Sequence, residues 1–136
     1  MNRTTGYWIS TGMFCALYVY GGTSHLLRTE QIATSMAALG YPAYVMTILG
    51  VAKLLGVAAL LMPGRPLLKE WAYAGFTINL LGAIASHLFV GDPLAHTLRP
   101  VFVLGVGAAS YHLRPISRRM LAAGAESAAG AQGERS

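Results

Sequence analysis

Four apolar segments divide the chain, at about Gly6–Leu26, Ala43–Met62, Trp71–Val90 and Arg99–Leu113, separated by polar connections rich in Pro and Gly. A helix of about 20 apolar residues rises far enough to cross the roughly 30 Å hydrocarbon core of a bilayer. The pattern therefore predicts an all-α protein, a transmembrane four-helix up-down bundle whose short connections place consecutive helices side by side. The fourth segment is the shortest, and Pro100 suits the first turn of its helix. The connection after the first segment is longer and predicts a short interfacial helix over Glu30–Leu39. Thr29 is placed to cap it and Gly40 to end it, while Ile32, Met36 and Leu39 share one face. That helix would lie on the outer bilayer surface and partly cover the mouth of the bundle. Pro63-Gly64-Arg65-Pro66 reads as a tight turn, and Asp92-Pro93 as a cap followed by the first residue of a helical turn. Residues 1–120 form the expected membrane domain, and the Ala- and Gly-rich stretch 121–136 reads as a disordered cytoplasmic tail.

Charge gives this arrangement a sidedness. With four crossings, Arg3, Arg65, Lys69, Arg114, Arg118 and Arg119 fall on one side, whereas the opposite connections carry Arg28 and Arg99. The positive-inside rule then puts both termini in the cytoplasm and the bundle in the inner membrane. Arg3 ahead of an apolar stretch resembles a signal peptide, but no small-residue cleavage pattern follows, so a retained first helix is expected. The 136 residues are 54% hydrophobic and 11% charged, which fits a membrane protein better than a soluble one. The net charge of +5 comes without a basic stripe interleaved with aromatics, so nucleic acid is not an expected partner. Cys15 is the single cysteine and lies inside the first apolar segment. It allows no intramolecular disulfide and no paired-thiol redox site, and is read as a small buried hydrophobe.

Lys53 stands near the middle of the second apolar segment. A lysine there costs about 2.5–3.5 kcal/mol on insertion scales, so it calls for a polar partner, a wet cavity or a ligand. Counting helical rise from the segment ends puts Asn79 at a similar depth, which makes it the expected hydrogen-bond partner. Gly50 and Gly56 flank Lys53 and leave room for a neighbouring helix or a ligand. Thr11, Tyr18 and His25 recur every seven residues and form one polar stripe, and Asn79, Ala83 and Ser86 share a face with His87 beside it. The plainer alternatives are a structural ion pair or snorkelling for Lys53, interhelical glue for Asn79 and ordinary packing for Tyr18.

A second polar group gathers at the outer mouth: His25, His87, Asp92, His96 and Arg99. Imidazoles and a carboxylate suit zinc or iron, but the spacing matches no compact ligand motif. The reading is hydrogen-bonded pairs, such as Asp92 with Arg99, and no metal site. A histidine there can also act as an acid or base near neutral pH. His112, near the cytoplasmic end beside Arg114, reads as interfacial.

The chain also resembles the DoxX-like family of small four-helix membrane proteins. The resemblance rests on Gly40-Tyr41-Pro42, Lys53-Leu54-Leu55-Gly56, the run from Leu68 to Gly75, Ser86-His87, Gly91-Asp92 and Leu113-Arg114-Pro115. It implies that Lys53, Ser86, His87 and Asp92 line up with the family pattern. The wider family includes proteins linked to thiosulfate:quinone oxidoreductases and thiol-redox complexes, and it looks related to a receptor-assembly chaperone. The leading expectation is a membrane protein that binds an apolar small molecule, quinone-like or lipid-like, inside the bundle. In it Lys53 holds a carbonyl or anionic group, Asn79, Tyr18, Ser86 and Arg99 assist, and His25 and His87 control access from outside. A quinone is the candidate cofactor, and an oxidoreductase partner or a second copy the candidate protein partner. One alternative is a membrane-embedded isomerase, hydrolase or cyclase with Lys53, or His87 with Asp92, as acid–base groups. The other is an assembly or scaffolding protein in which the polar residues specify helix packing.

Overall fold

The computed structural model describes residues 2–133, which form six α-helices, a 3-10 turn at Ile116–Arg118 and no strand. The helices are α1 (Arg3–Leu26), α2 (Glu30–Ala38), α3 (Ala43–Leu61), α4 (Pro66–Phe89), α5 (Leu94–Leu113) and α6 (Met120–Gly133). Helix α1 lies against α3 and α5, and α4 lies against the same two helices; α2 leans on α1 and α3. Between them is a core of Phe14, Tyr18, Val57, Leu60, Tyr73, Phe76, Leu80 and Val106. Its aromatic members interlock, with the Tyr18 and Phe76 rings 4.0 Å apart and Phe14 edge-on to Phe76 at 5.3 Å.

By length and composition together, α3 and α4 are the described helices able to cross a membrane. Helices α1 and α5 have 24 and 20 residues, but polar side chains dilute their apolar character. Those side chains point inward and find partners. Thr11 Oγ1 and Ser110 Oγ share a hydrogen bond at 2.6 Å, and the Tyr73 hydroxyl joins Ser110 at 2.7 Å, so the buried hydroxyls of α1, α4 and α5 satisfy one another.

Several helix ends depart from the sequence expectation, each for a local reason. Helix α1 starts three residues early, where the Asn2 side chain accepts from the Thr4 amide. Helix α4 starts at Pro66 instead of Trp71, because Lys69 is not a loop charge. Its side chain is buried, and its ammonium donates to the carbonyls of Ala59, Leu60 and Met62 at the end of α3. Those acceptors are the ones a helix terminus leaves without intrahelical donors. Helix α5 starts at Leu94, so Pro100 lies within it instead of in its first turn, and its ring nitrogen cannot donate to the preceding turn.

Helix α2 occupies Glu30–Ala38 with Met36 buried, close to the expected span and face. Thr29 stands at its amino end without a side-chain cap. Gly40, at φ +80°, ends α2 in a Schellman motif, with Tyr41 N–H reaching the Met36 carbonyl and Gly40 N–H that of Ala37. Helix α6 runs over Met120–Gly133, in a stretch rich in helix-favouring alanine.

Close approach explains two glycines. A Cβ on Gly50 would lie 2.9 Å from the Gly22 carbonyl oxygen of α1, and one on Gly56 would meet the Phe76 ring of α4. Neighbouring helices thus occupy the positions that a side chain on either glycine would take. Gly50→Ala is expected to destabilise the protein by about 1–3 kcal/mol, since the obstacle is backbone and cannot rotate away. Gly75→Ala, where the added carbon meets nothing within 4 Å, is the matched control. Thermal unfolding of the two variants in the same detergent checks this; equal midpoints would contradict it.

Candidate functional site

A cavity of about 530 Å³ opens between α1, α4 and α5 under the short helix α2. Seven of the residues singled out in the sequence line it together with Asn79: Tyr18, His25, Lys53, His87, Asp92, His96 and Arg99. Its walls are otherwise largely apolar, with Leu17, Leu80, Ala83 and Val103 among them. A concave apolar space with a few convergent polar groups is the usual form of a small-molecule site. A second cavity of about 310 Å³ lies between α3 and α4 and shares Lys53 and Asn79 with the first.

In the deep part of the site the partners differ from those expected. Lys53 Nζ lies 3.4 Å from both ring nitrogens of His25, whereas Asn79 Oδ1 accepts from the Tyr18 hydroxyl at 3.5 Å. The Tyr18 hydroxyl also reaches the Phe76 carbonyl at 3.3 Å. The stripe on α1 therefore divides its work, with Tyr18 serving Asn79 and His25 serving Lys53. The His25 tautomer follows from its other contact. Nδ1 is 2.6 Å from the Gly21 carbonyl, which can only accept, so Nδ1 carries the hydrogen. Nε2 is then the ring nitrogen able to accept from the ammonium. Lys53 itself is half-buried and its head faces Gly21.

At the mouth the expected Asp92–Arg99 pair is replaced. Asp92 Oδ2 accepts from His87 Nδ1 at 2.6 Å, and His96 Nδ1 stands 3.7 Å from the same oxygen. The chain reversal after α4 produces this geometry. Gly91 at φ +71° closes a Schellman motif in which the Asp92 amide reaches the His87 carbonyl at 3.0 Å, which folds Asp92 back over His87. Asp92 therefore does not cap α5. The hydrogen bond from His87 is the main influence on its carboxyl and holds it below the usual carboxylate range, against a smaller opposing effect of desolvation. Arg99 is exposed beside the cavity.

Ser86 stands outside the group. Its hydroxyl shares a 2.7 Å hydrogen bond with Tyr41 and donates to the Gly82 carbonyl, tying the end of α4 to the connection before α3. Cys15 is buried in the core among aromatic rings, as expected of a small hydrophobe. The sequence reading expected α2 to cover the mouth but did not single out its Gln31, Thr34 and Ser35, which also line the cavity. It also missed a polar lock at the opposite end. There the buried Arg114 guanidinium donates to Glu70 Oε1 at 2.6 Å and lies 3.9 Å from the centre of the Tyr111 ring.

A family model described as the DoxX-like family matches residues 9–110, which takes in every residue of the cavity. The chain belongs to the DoxX-like family. Membership agrees with a membrane protein, as do the two apolar helices α3 and α4. Neither the curated proteins nor the solved structures compared with this DoxX-like chain include a match.

Proposed function

We propose that this DoxX-like protein is a four-helix up-down transmembrane bundle that binds an apolar small molecule, quinone-like or lipid-like, with Lys53 holding its carbonyl or anionic group. The observation that carries this reading is the meeting of an ammonium, a neutral imidazole nitrogen and an amide on the wall of an otherwise apolar cavity. Among the described residues the ammonium has the His25 ring as its hydrogen-bond partner, which leaves it hydrogens for a ligand. Phenol and amide groups from Tyr18 and Asn79 stand ready to orient it.

The membrane reading draws on the outer surface. Large apolar side chains stand exposed on each long helix, including Ile9 and Tyr20 on α1, Leu55 on α3, Ile78 and Phe89 on α4 and Phe102 on α5. Phe89 is 91% exposed, and a continuous apolar exterior of this kind marks a surface made for lipid or protein. Arg3, Arg114, Arg118 and Arg119 gather at one end, where the Arg3 and Arg119 guanidinium groups both donate to the His112 carbonyl. That asymmetry supports an inner-membrane bundle over about residues 1–120, with both termini in the cytoplasm. An oxidoreductase subunit or a second copy of the chain is the partner this reading favours.

The second reading is a membrane-embedded enzyme acting on a lipophilic substrate. It is favoured by the His87–Asp92 pair at the cavity mouth, where a carboxylate orients an imidazole for proton transfer. Titration of the detergent-purified protein with a short-chain quinone and with an alkane of equal size separates a site from simple partitioning. Saturable binding of the quinone alone is expected; equal uptake of both compounds would remove the proposal.

A further inference from the structure

His87, Asp92 and His96 come from the end of α4, the following turn and the first turn of α5, and their donor atoms all lie within 4.8 Å of one another. Donor atoms bound at 2.0–2.2 Å to a tetrahedral zinc ion stand roughly 3.4 Å apart. The two separations to Asp92 Oδ2, 2.6 Å from His87 and 3.7 Å from His96, bracket that value.

Hydrogen bonding accounts for only part of the cluster. The His87–Asp92 bond uses one imidazole and one carboxylate oxygen. The His96 ring is turned toward that same oxygen from beyond hydrogen-bond distance, and its centroid stands 6.0 Å from that of His87. Its Nδ1 faces Asp92 at 3.7 Å, a loose contact that a shared metal ion would replace. Its backbone, by contrast, is fixed by the amide contact to Pro93 that opens α5. The Gly91 turn holds Asp92 over His87 in the same way. Three donors on a short, well-formed helix–turn–helix segment therefore converge with little chain entropy left to lose.

We propose that His87, Asp92 and His96 form a divalent transition-metal site at the outer mouth of the cavity. Two imidazoles and a carboxylate are a donor set suited to zinc or iron(II), and they leave coordination positions for an exogenous oxygen. All three residues line the same cavity as Lys53, so those positions open toward any ligand held there. The metal would serve as a second anchor, besides the ammonium, for an oxygen-bearing ligand. The inference does not depend on the nature of that ligand, and its test needs none.

The test uses the full chain in detergent, freed of any polyhistidine tag, titrated with Co²⁺ and followed by visible ligand-field absorption. Zn²⁺ competition and elemental analysis after dialysis complete it. One equivalent of metal per chain is expected, with Co²⁺ displaced by Zn²⁺. His96→Ala leaves the His87–Asp92 hydrogen bond in place, so it should fold as the wild type does while binding at least ~10-fold more weakly. Asp92→Asn should lose comparable affinity, and His112→Ala should lose none. Absence of stoichiometric metal in the wild type, or undiminished binding in the His87→Ala/His96→Ala double variant, would overturn the proposal. Quinone binding by the metal-free protein reports separately on the cavity.

Discussion

Arg114→Ala is expected to lower folding stability by about 2–3 kcal/mol, among the largest single-site effects in the molecule. Arg114 follows the last residue of α5, and its side chain is only 5% exposed, while that of Glu70 on α4 is 27% exposed. One guanidinium nitrogen donates to Glu70 Oε1 at 2.6 Å, and Nε donates to the Tyr111 carbonyl at 3.1 Å. The plane also lies over Tyr111, with Tyr73 at 5.2 Å. Removing it leaves the Glu70 carboxylate with the Tyr111 hydroxyl at 3.1 Å and whatever water enters. Breaking a fully buried pair costs about 3–5 kcal/mol, and the partial exposure of Glu70 places this case below that range. Arg114→Lys should recover less than half, because a compact ammonium cannot both stack on the rings and donate in two directions. A double-variant cycle with Glu70→Ala, read by unfolding in detergent, checks the coupling. Additive losses would mean that the pair is incidental.

Lys53→Met should weaken binding of a carbonyl-bearing or anionic lipophile by about 10- to 100-fold. A hydrogen bond to a charged group contributes about 1.5–3 kcal/mol, and methionine keeps the volume while removing the charge. Folding should not suffer, since an apolar side chain replaces one that is costly to insert. His25→Ala provides a graded comparison. It frees Lys53 from its imidazole partner without removing the ammonium, so it should alter affinity far less than Lys53→Met. A Lys53→Met protein that is strongly destabilised, with wild-type affinity in its folded fraction, would reassign Lys53 to helix packing.

Much of this site was readable from the chain because a charged residue inside an apolar segment constrains its surroundings whatever the fold. The depth of Lys53 and the stripe Thr11, Tyr18, His25 follow from helical rise and period alone. What rise cannot give is rotation about the helix axis. Asn79 has a compatible height, but packing turns it to Tyr18, and His25 receives Lys53 instead. The mouth was harder still. Asp92 was matched with Arg99 by charge, whereas the left-handed Gly91 carries it back onto His87. Lys69 shows the same limit at the other end. Read as a loop charge, it delayed the start of the predicted helix to Trp71, because a hydropathy pattern cannot reveal that three carbonyls at the end of α3 await an ammonium. Helix α2 was predicted almost to the residue, since its limits are set by local turn chemistry at Gly40.

The central claim is that Lys53 marks a ligand site and not only a helix contact. Native mass spectrometry of the detergent-purified protein, paired with solvent extraction and analysis of co-purifying lipophiles, tests it most directly. The account predicts a bound small molecule bearing a carbonyl or acidic group in the wild type and its loss in folded Lys53→Met. The same occupancy in both proteins, or no bound molecule in either after exposure to a quinone-containing lipid extract, would contradict it.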